Sequence, residues 1–69
     1  MSIAKVTEIS ASSTQGFDDA VRQGITRAGE TLHNMKKAWI NEQSVVIRDD
    51  DIAEWHVNMR ITFVLDDDD

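Results

Sequence analysis

The feature that most constrains this chain is an unbroken alternation near its C-terminus. Trp55, Val57, Met59, Ile61, Phe63 and Leu65 take turns with Glu54, His56, Asn58, Arg60, Thr62 and Val64. Successive side chains of a strand point to opposite faces, so this pattern specifies a strand with one apolar face and one largely polar face. The polar face is mixed rather than merely charged, which leaves it available for specific contacts. Upstream, Phe17, Val21, Ile25, Ala28, Leu32 and Met35 are spaced by four, four, three, four and three. That period predicts one amphipathic helix running about five turns from Phe17 to Met35. Ser13 or Thr14 is the expected N-cap, and Asp18 and Asp19 suit the positive end of the helix dipole. Lys36 and Lys37 suit the other end. Gly24 lies on the apolar stripe, where close approach to a strand explains a residue otherwise costly in a helix; Gly29 lies off it and has no such reason.

Two further strands complete the order. Lys5–Ser10 reads as a short β-branched strand, broken by the small polar residues from Ala11 to Gly16. Ala38–Arg48 reads as extended, and Arg48-Asp49-Asp50-Asp51-Ile52 as a hairpin connection into the last strand. The expected fold is α+β with order β-α-β-β, a three-stranded antiparallel sheet carrying one helix across one face. With 69 residues there is room for one domain, residues 1–69. The composition, 41% hydrophobic and 29% charged, belongs to a folded chain.

A core of this size supplies only about 3–5 kcal/mol, and small proteins add disulfides, a metal or oligomerisation. Cysteine is absent and only His33 and His56 are available as imidazole ligands, so self-association is the expected staple. Seven Lys and Arg against 13 Asp and Glu give a net charge of −6, which argues against nucleic acid. No apolar run approaches the ~20 residues of a membrane span, and the first residues do not read as a signal peptide. The expected location is therefore cytoplasmic. Asp66–Asp69 reads as a solvated tail and Asp49–Asp51 as a turn. Three consecutive Asp followed by Ile52 lack the alternating carboxylates and glycine of a calcium loop.

No Gly-x-Ser-x-Gly, phosphate-binding glycine loop or His-Glu-x-x-His is present, so an enzyme is not expected. The unusual content is aromatic: two Trp, two Phe and no Tyr. Trp55 shares its strand face with Val57, Met59 and Ile61 and reads as core or core edge. Trp39 has Asn41 and Gln43 as its alternating neighbours, and an indole among amides suits a binding surface. It equally suits an anchor in a subunit interface. The second strand alternates ambiguously, with Ile40 and Val46 on one parity and Trp39, Val45 and Ile47 on the other, as in a strand buried on both sides.

Several stretches together resemble the dodecin family: Ala4-Lys5-Val6 with Glu8-Ile9 and Ala11-Ser12-Ser13, the helix Phe17-Asp18-Asp19-Ala20-Val21 through Gly24-Ile25, Arg27-Ala28 and Thr31-Leu32, then Ala38-Trp39, and Asn58 to Leu65. The resemblance spans essentially the whole chain. It implies a hollow, spherical homo-dodecamer that stores a flavin, riboflavin or FMN, stacked between two-fold-related tryptophans and quenched. On that resemblance Trp39 is the stacking residue. His56 stands where a polar residue, commonly Gln, meets the flavin edge. Lys5, Arg48 and Arg60 are candidates for an FMN phosphate, and Gln43 joins them as a polar neighbour of Trp39. The alternative is a structural homo-oligomer with no flavin.

Overall fold

The computed structural model describes residues 3–65. Its elements are β1 (Ala4–Ser13), α1 (Phe17–Ala28), β2 (Met35–Arg48) and β3 (Asp51–Val64). The three strands form one antiparallel sheet in the order β1-β3-β2, so the strand with the cleanest alternation takes the centre. Its odd-numbered residues Val57, Met59 and Ile61 are buried beneath α1, together with Ala20. Ile9, Ala11, Phe17, Val21, Ile25 and Ala38 pack around them. Trp55 and Phe63, on the same face, are half-buried at the ends of this core. The expected β-α-β-β fold is the one observed.

Gly24 is where helix and sheet come closest. A Cβ there would stand 2.5 Å from the Met59 methyl and 3.1 Å from the Ala11 Cβ, so the approach requires a residue without one. The hairpin turn is also tighter than the sequence alone fixed. Arg48 pairs with Asp51, leaving Asp49 and Asp50 as a two-residue connection with φ of 53° and 63°. Both positive values are those of a type I′ turn, whose twist matches paired strands.

Two boundaries differ from expectation. The helix ends at Ala28, not Met35. Gly29 caps it, its N–H bonding the Ile25 carbonyl, and Asn34, with φ of 61°, turns the chain into β2. Leu32 and His33 therefore lie in the connector, while Met35, Lys36 and Lys37 open the strand, drawn in by a bond from the Val64 N–H to the Asn34 carbonyl. The basic residue in the last helical turn is Arg27. At the other end, β1 continues past Ser10 to Ser13, because its ladder with β3 holds as far as Ser13↔Trp55. The N-cap is then Gly16, with no side-chain cap, rather than Ser13 or Thr14. Ser13 still serves this junction: its buried hydroxyl donates to Asp19 Oδ2 at 2.6 Å and accepts from the Gln15 N–H at 2.8 Å.

β2 lies at the sheet edge and is not buried on both sides in the protomer. Its mixed parity has a local cause. The register slips between Met35 and Lys37 and between Ile40 and Glu42, where β2 carries an extra residue, and each of these exchanges its faces; a third slip, between Val46 and Ile47, falls at Ala53 of β3. The long β2–β3 hairpin makes the protomer 53 Å long and 19 by 14 Å across. Its radius of gyration is 14.3 Å, against about 11 Å for a compact domain of this length. Asp66–Asp69 lies outside the described residues.

Candidate functional site: the uncovered face of the sheet

Helix α1 covers one face of the sheet, and the opposite face is built from the even-numbered residues of β3. Antiparallel register fixes which residues stand beside them. Arg60 lies between Glu8 on β1 and Trp39 on β2; Asn58 between Ser10 and Glu42; His56 between Ser12 and Ser44. These three rows make a polar stretch with one indole at its edge, and Val6 and Val46 add apolar groups in the rows of Thr62 and Glu54 beyond it. Trp39 is 65% exposed, the largest apolar side chain the protomer leaves open.

The middle row is tied together. The Asn41 amide donates to Asn58 Oδ1 at 2.7 Å, and the Asn58 amide donates to Ser10 Oγ at 3.0 Å. One side-chain chain thus crosses all three strands and holds the bulge at Asn41. His56 has a different partner. Its Nε2 lies 2.8 Å from Glu54 Oε1, while Arg48 Nη2 lies 3.4 Å from Glu54 Oε2. The hydrogen bond with His56, above all, holds the Glu54 carboxyl below the usual glutamate range, and the positive charge of Arg48 adds to it.

The expected site residues separate on this framework. Trp39, Arg60 and His56 share the uncovered face, although His56 lies four residues along β3 from Arg60, roughly 13 Å. Gln43 does not join them: the slip at Asn41 pairs it with Val57 and turns it to the helix side. Lys5 pairs with Phe63, also on the helix side. Arg48 sits at the hairpin turn against Glu54. Asn58, Ser10, Glu54, Glu42 and Ser44 belong to the face and were not singled out from the sequence. For Asn58 and Glu54 the signal was there, since they share β3 parity with His56 and Arg60.

A recess of about 140 Å³ lies between Ser10, Glu42, Ser44, His56 and Asn58. Ligand pockets for molecules of cofactor size run from about 300 Å³ upward, so one protomer supplies a floor and not an enclosure. Wider grooves flank α1, one along Ile9 and Gly24 and the other along Val21, Ile25 and Ile40, and neither includes Trp39. Among the described residues no three His, Cys, Asp or Glu side chains cluster to hold a metal ion, and no helix is long and apolar enough to cross a membrane.

The family model for dodecin matches residues 3–66. The chain is a member of the dodecin family. Among solved structures it is similar to the dodecin from Streptomyces davaonensis, at 39% identity and a TM-score of 0.90, over 96% of this chain and 97% of that one. The dodecin from Streptomyces coelicolor is 31% identical, with a TM-score of 0.90 over 97% and 96% of the two chains. A calcium dodecin from Mycobacterium tuberculosis, described as having a novel calcium-binding site, shares the fold at 16% identity and a TM-score of 0.81, over 97% and 96%. No curated protein matches the chain. In this dodecin fold the exposed indole lies on the sheet face opposite the helix, beside the Arg60 guanidinium, which makes no ion pair among the described residues, and a row of amide and hydroxyl groups.

Proposed function

We propose that this chain stores flavin, riboflavin or FMN, in a cytoplasmic homo-dodecamer and does not transform it. The observation that carries the reading is Trp39, an indole 65% exposed beside the polar rows of Arg60, Asn58 and His56. An isoalloxazine ring fits such a surface. It has two broad π-faces for an indole and a polar pyrimidine edge for groups such as His56 and Asn58. Stacking adds about 0.5–1.5 kcal/mol per well-placed aromatic pair beyond area burial. Because one protomer offers only a floor, the second wall is the partner subunit's Trp39, and the elongated protomer, with four buried apolar core side chains among the described residues, supports assembly. The electron-rich indole in contact with excited flavin quenches it, which keeps the store dark and unreactive.

The three basic candidates now rank. Arg60 is the direct cross-strand neighbour of Trp39 and makes no ion pair among the described residues. Arg48 is engaged by Glu54 and Lys5 lies on the helix side, so Arg60 is the one we assign to an FMN phosphate.

Exposure of Trp39 also favours a second reading, a ligand-free oligomer in which that ring is simply an interface anchor. Separate titrations with riboflavin and FMN, read by flavin fluorescence alongside native mass, decide between them. Quenching that saturates on an assembled particle supports storage. An assembled particle that leaves both flavins fluorescent supports the structural reading, and a 7.8 kDa species at micromolar concentration refutes both.

A further inference from the structure

Glu54 and His56 are two residues apart on β3 and so share the uncovered face. At neutral pH Glu54 is a carboxylate, more firmly so for its bond to His56, and a carboxylate only accepts hydrogen bonds. The 2.8 Å contact from His56 Nε2 to Glu54 Oε1 therefore needs a proton on Nε2. A neutral imidazole carries one ring proton, so Nδ1 is left as an acceptor, and it has no hydrogen-bond partner among the described residues. Arg48 grips the second oxygen of Glu54 and steadies the carboxylate.

We infer that Glu54 locks His56 in the Nε2–H tautomer, making Nδ1 a selective acceptor for the imide N3–H of a flavin and making binding sensitive to acid. This rests on the flavin reading and names how its polar edge is recognised. Glutamine in the same place offers both a donor and an acceptor and does not titrate. Histidine held by Glu54 offers an acceptor alone until solvent delivers a proton to Nδ1. The ring then donates from both nitrogens, and Nδ1–H faces N3–H, donor against donor. The other neutral acceptors beside the ring, the hydroxyls of Ser12 and Ser44, make no side-chain hydrogen bond that fixes them among the described residues, whereas Glu54 fixes the imidazole. Ser12 and Ser44 flank it from β1 and β2; the charged neighbours are Glu54 with Arg48, Glu42 one row along β2, and Arg60 with Glu8 in the Trp39 row. Helix α1 packs on the other face.

The test has two arms. The first uses the ligand-free protein with isotope-labelled histidine, assigned with His56→Gln. Nitrogen NMR at pH 7.5 should show His56 as the Nε2–H tautomer, and Glu54→Gln, whose amide can donate or accept, should give a mixture. An Nδ1–H tautomer in the unaltered protein overturns the inference. The second arm titrates riboflavin, which lacks the phosphate that itself titrates near pH 6. Its Kd should rise about tenfold or more between pH 7.5 and 5.5. His56→Gln should bind with little change over that range, and His33→Gln should follow the unaltered protein. A flat profile in the unaltered protein, the same acid loss in His56→Gln, or a particle that dissociates at pH 5.5 would each overturn the gate. Absence of riboflavin binding at pH 7.5 as well would overturn the flavin reading itself, and the gate with it.

Discussion

Replacing each tryptophan in turn separates binding from stability. A whole indole side chain presents about 250 Å². With 65% exposed, Trp39 leaves about 160 Å² for a ligand to cover, worth about 4 kcal/mol at 25 cal/mol per Å². Part of that is offset by the cost of ordering the complex, so Trp39→Ala should weaken riboflavin binding by about 30- to 1,000-fold. Trp39→Phe keeps a π-face and should lose less. The protomer itself holds only the remaining third of the ring, about 90 Å², so its packing loses at most about 2 kcal/mol. Trp55 is the opposite case. It is half-buried between Ser13 and Val45 on the helix side, and Trp55→Ala should cost about 3 kcal/mol of folding stability, toward the lower end for large aromatic truncations. Fluorescence titration and thermal unfolding on both variants, at one protein concentration, form the assay. Equal riboflavin affinity in Trp39→Ala and the unaltered protein would refute the reasoning. So would a Trp55→Ala protein that melts normally but has lost flavin.

Arg60→Gln should weaken FMN about tenfold while leaving riboflavin within a factor of two or three; equal losses would tie Arg60 to the ring and not to phosphate. Converting Asp49-Asp50 to Asn-Gly supplies residues that accept positive φ and should raise the melting temperature by a few degrees, about 0.5–1 kcal/mol, whereas a lowered one would contradict the type I′ turn. Asp19 is held below the ordinary aspartate range first by the hydroxyl of Ser13, then by Gln23 and Arg22. Its folded pKa is depressed, so its contribution is present above the unfolded value and fades as pH falls through the folded one; Asp19→Asn should flatten the stability profile in that acid window. Gly24→Ala gains about 1 kcal/mol of helix propensity, but its Cβ would meet Met59, which is fully buried and cannot swing into solvent. Overpacking of about 1–3 kcal/mol should win, and Gly24→Ala paired with Met59→Val should recover part of the loss in a double-mutant cycle.

Periodicity made the architecture readable because β3 and the first three turns of α1 each bury one face against the other. It failed where the same spacing arose without a helix. Leu32 and Met35 continue the run from Ala28, yet Gly29 ends the helix before both, and Asn34 turns the chain between them. The glycine with no packing reason was the stop signal. On the uncovered face, Trp39 was legible from its polar surroundings, but its neighbours were not. Simple alternation paired it with Gln43, and the bulge at Asn41 puts Gln43 on the helix side while Asn41 reaches Asn58. In a parity count such bulges show only as ambiguity, and their positions appear only when a partner strand is laid beside the sequence. Glu54 shared parity with His56 throughout; what the sequence lacked was the rotamer that joins them.

The same bulges bear on why an exposed indole at a sheet edge is tolerable. β2 is a 14-residue edge strand with Trp39, Ile40 and Ile47 open, the kind of edge that recruits further strands without limit. Three register slips bend it away from flat, and Lys36, Lys37 and Arg48 place charge near both ends. Strand addition in register is thereby disfavoured, while side-chain contact across the uncovered face is not. Association by that face is isologous when two copies meet about a two-fold axis, and such contacts close instead of propagating. A two-fold axis beside Trp39, as the proposed function requires, would bring two copies of the same ring together, each beside its own Arg60. On the proposed function, the device that protects the edge is also the one that leaves room between two indoles, and a planar aromatic ligand is the chemistry such a space accepts.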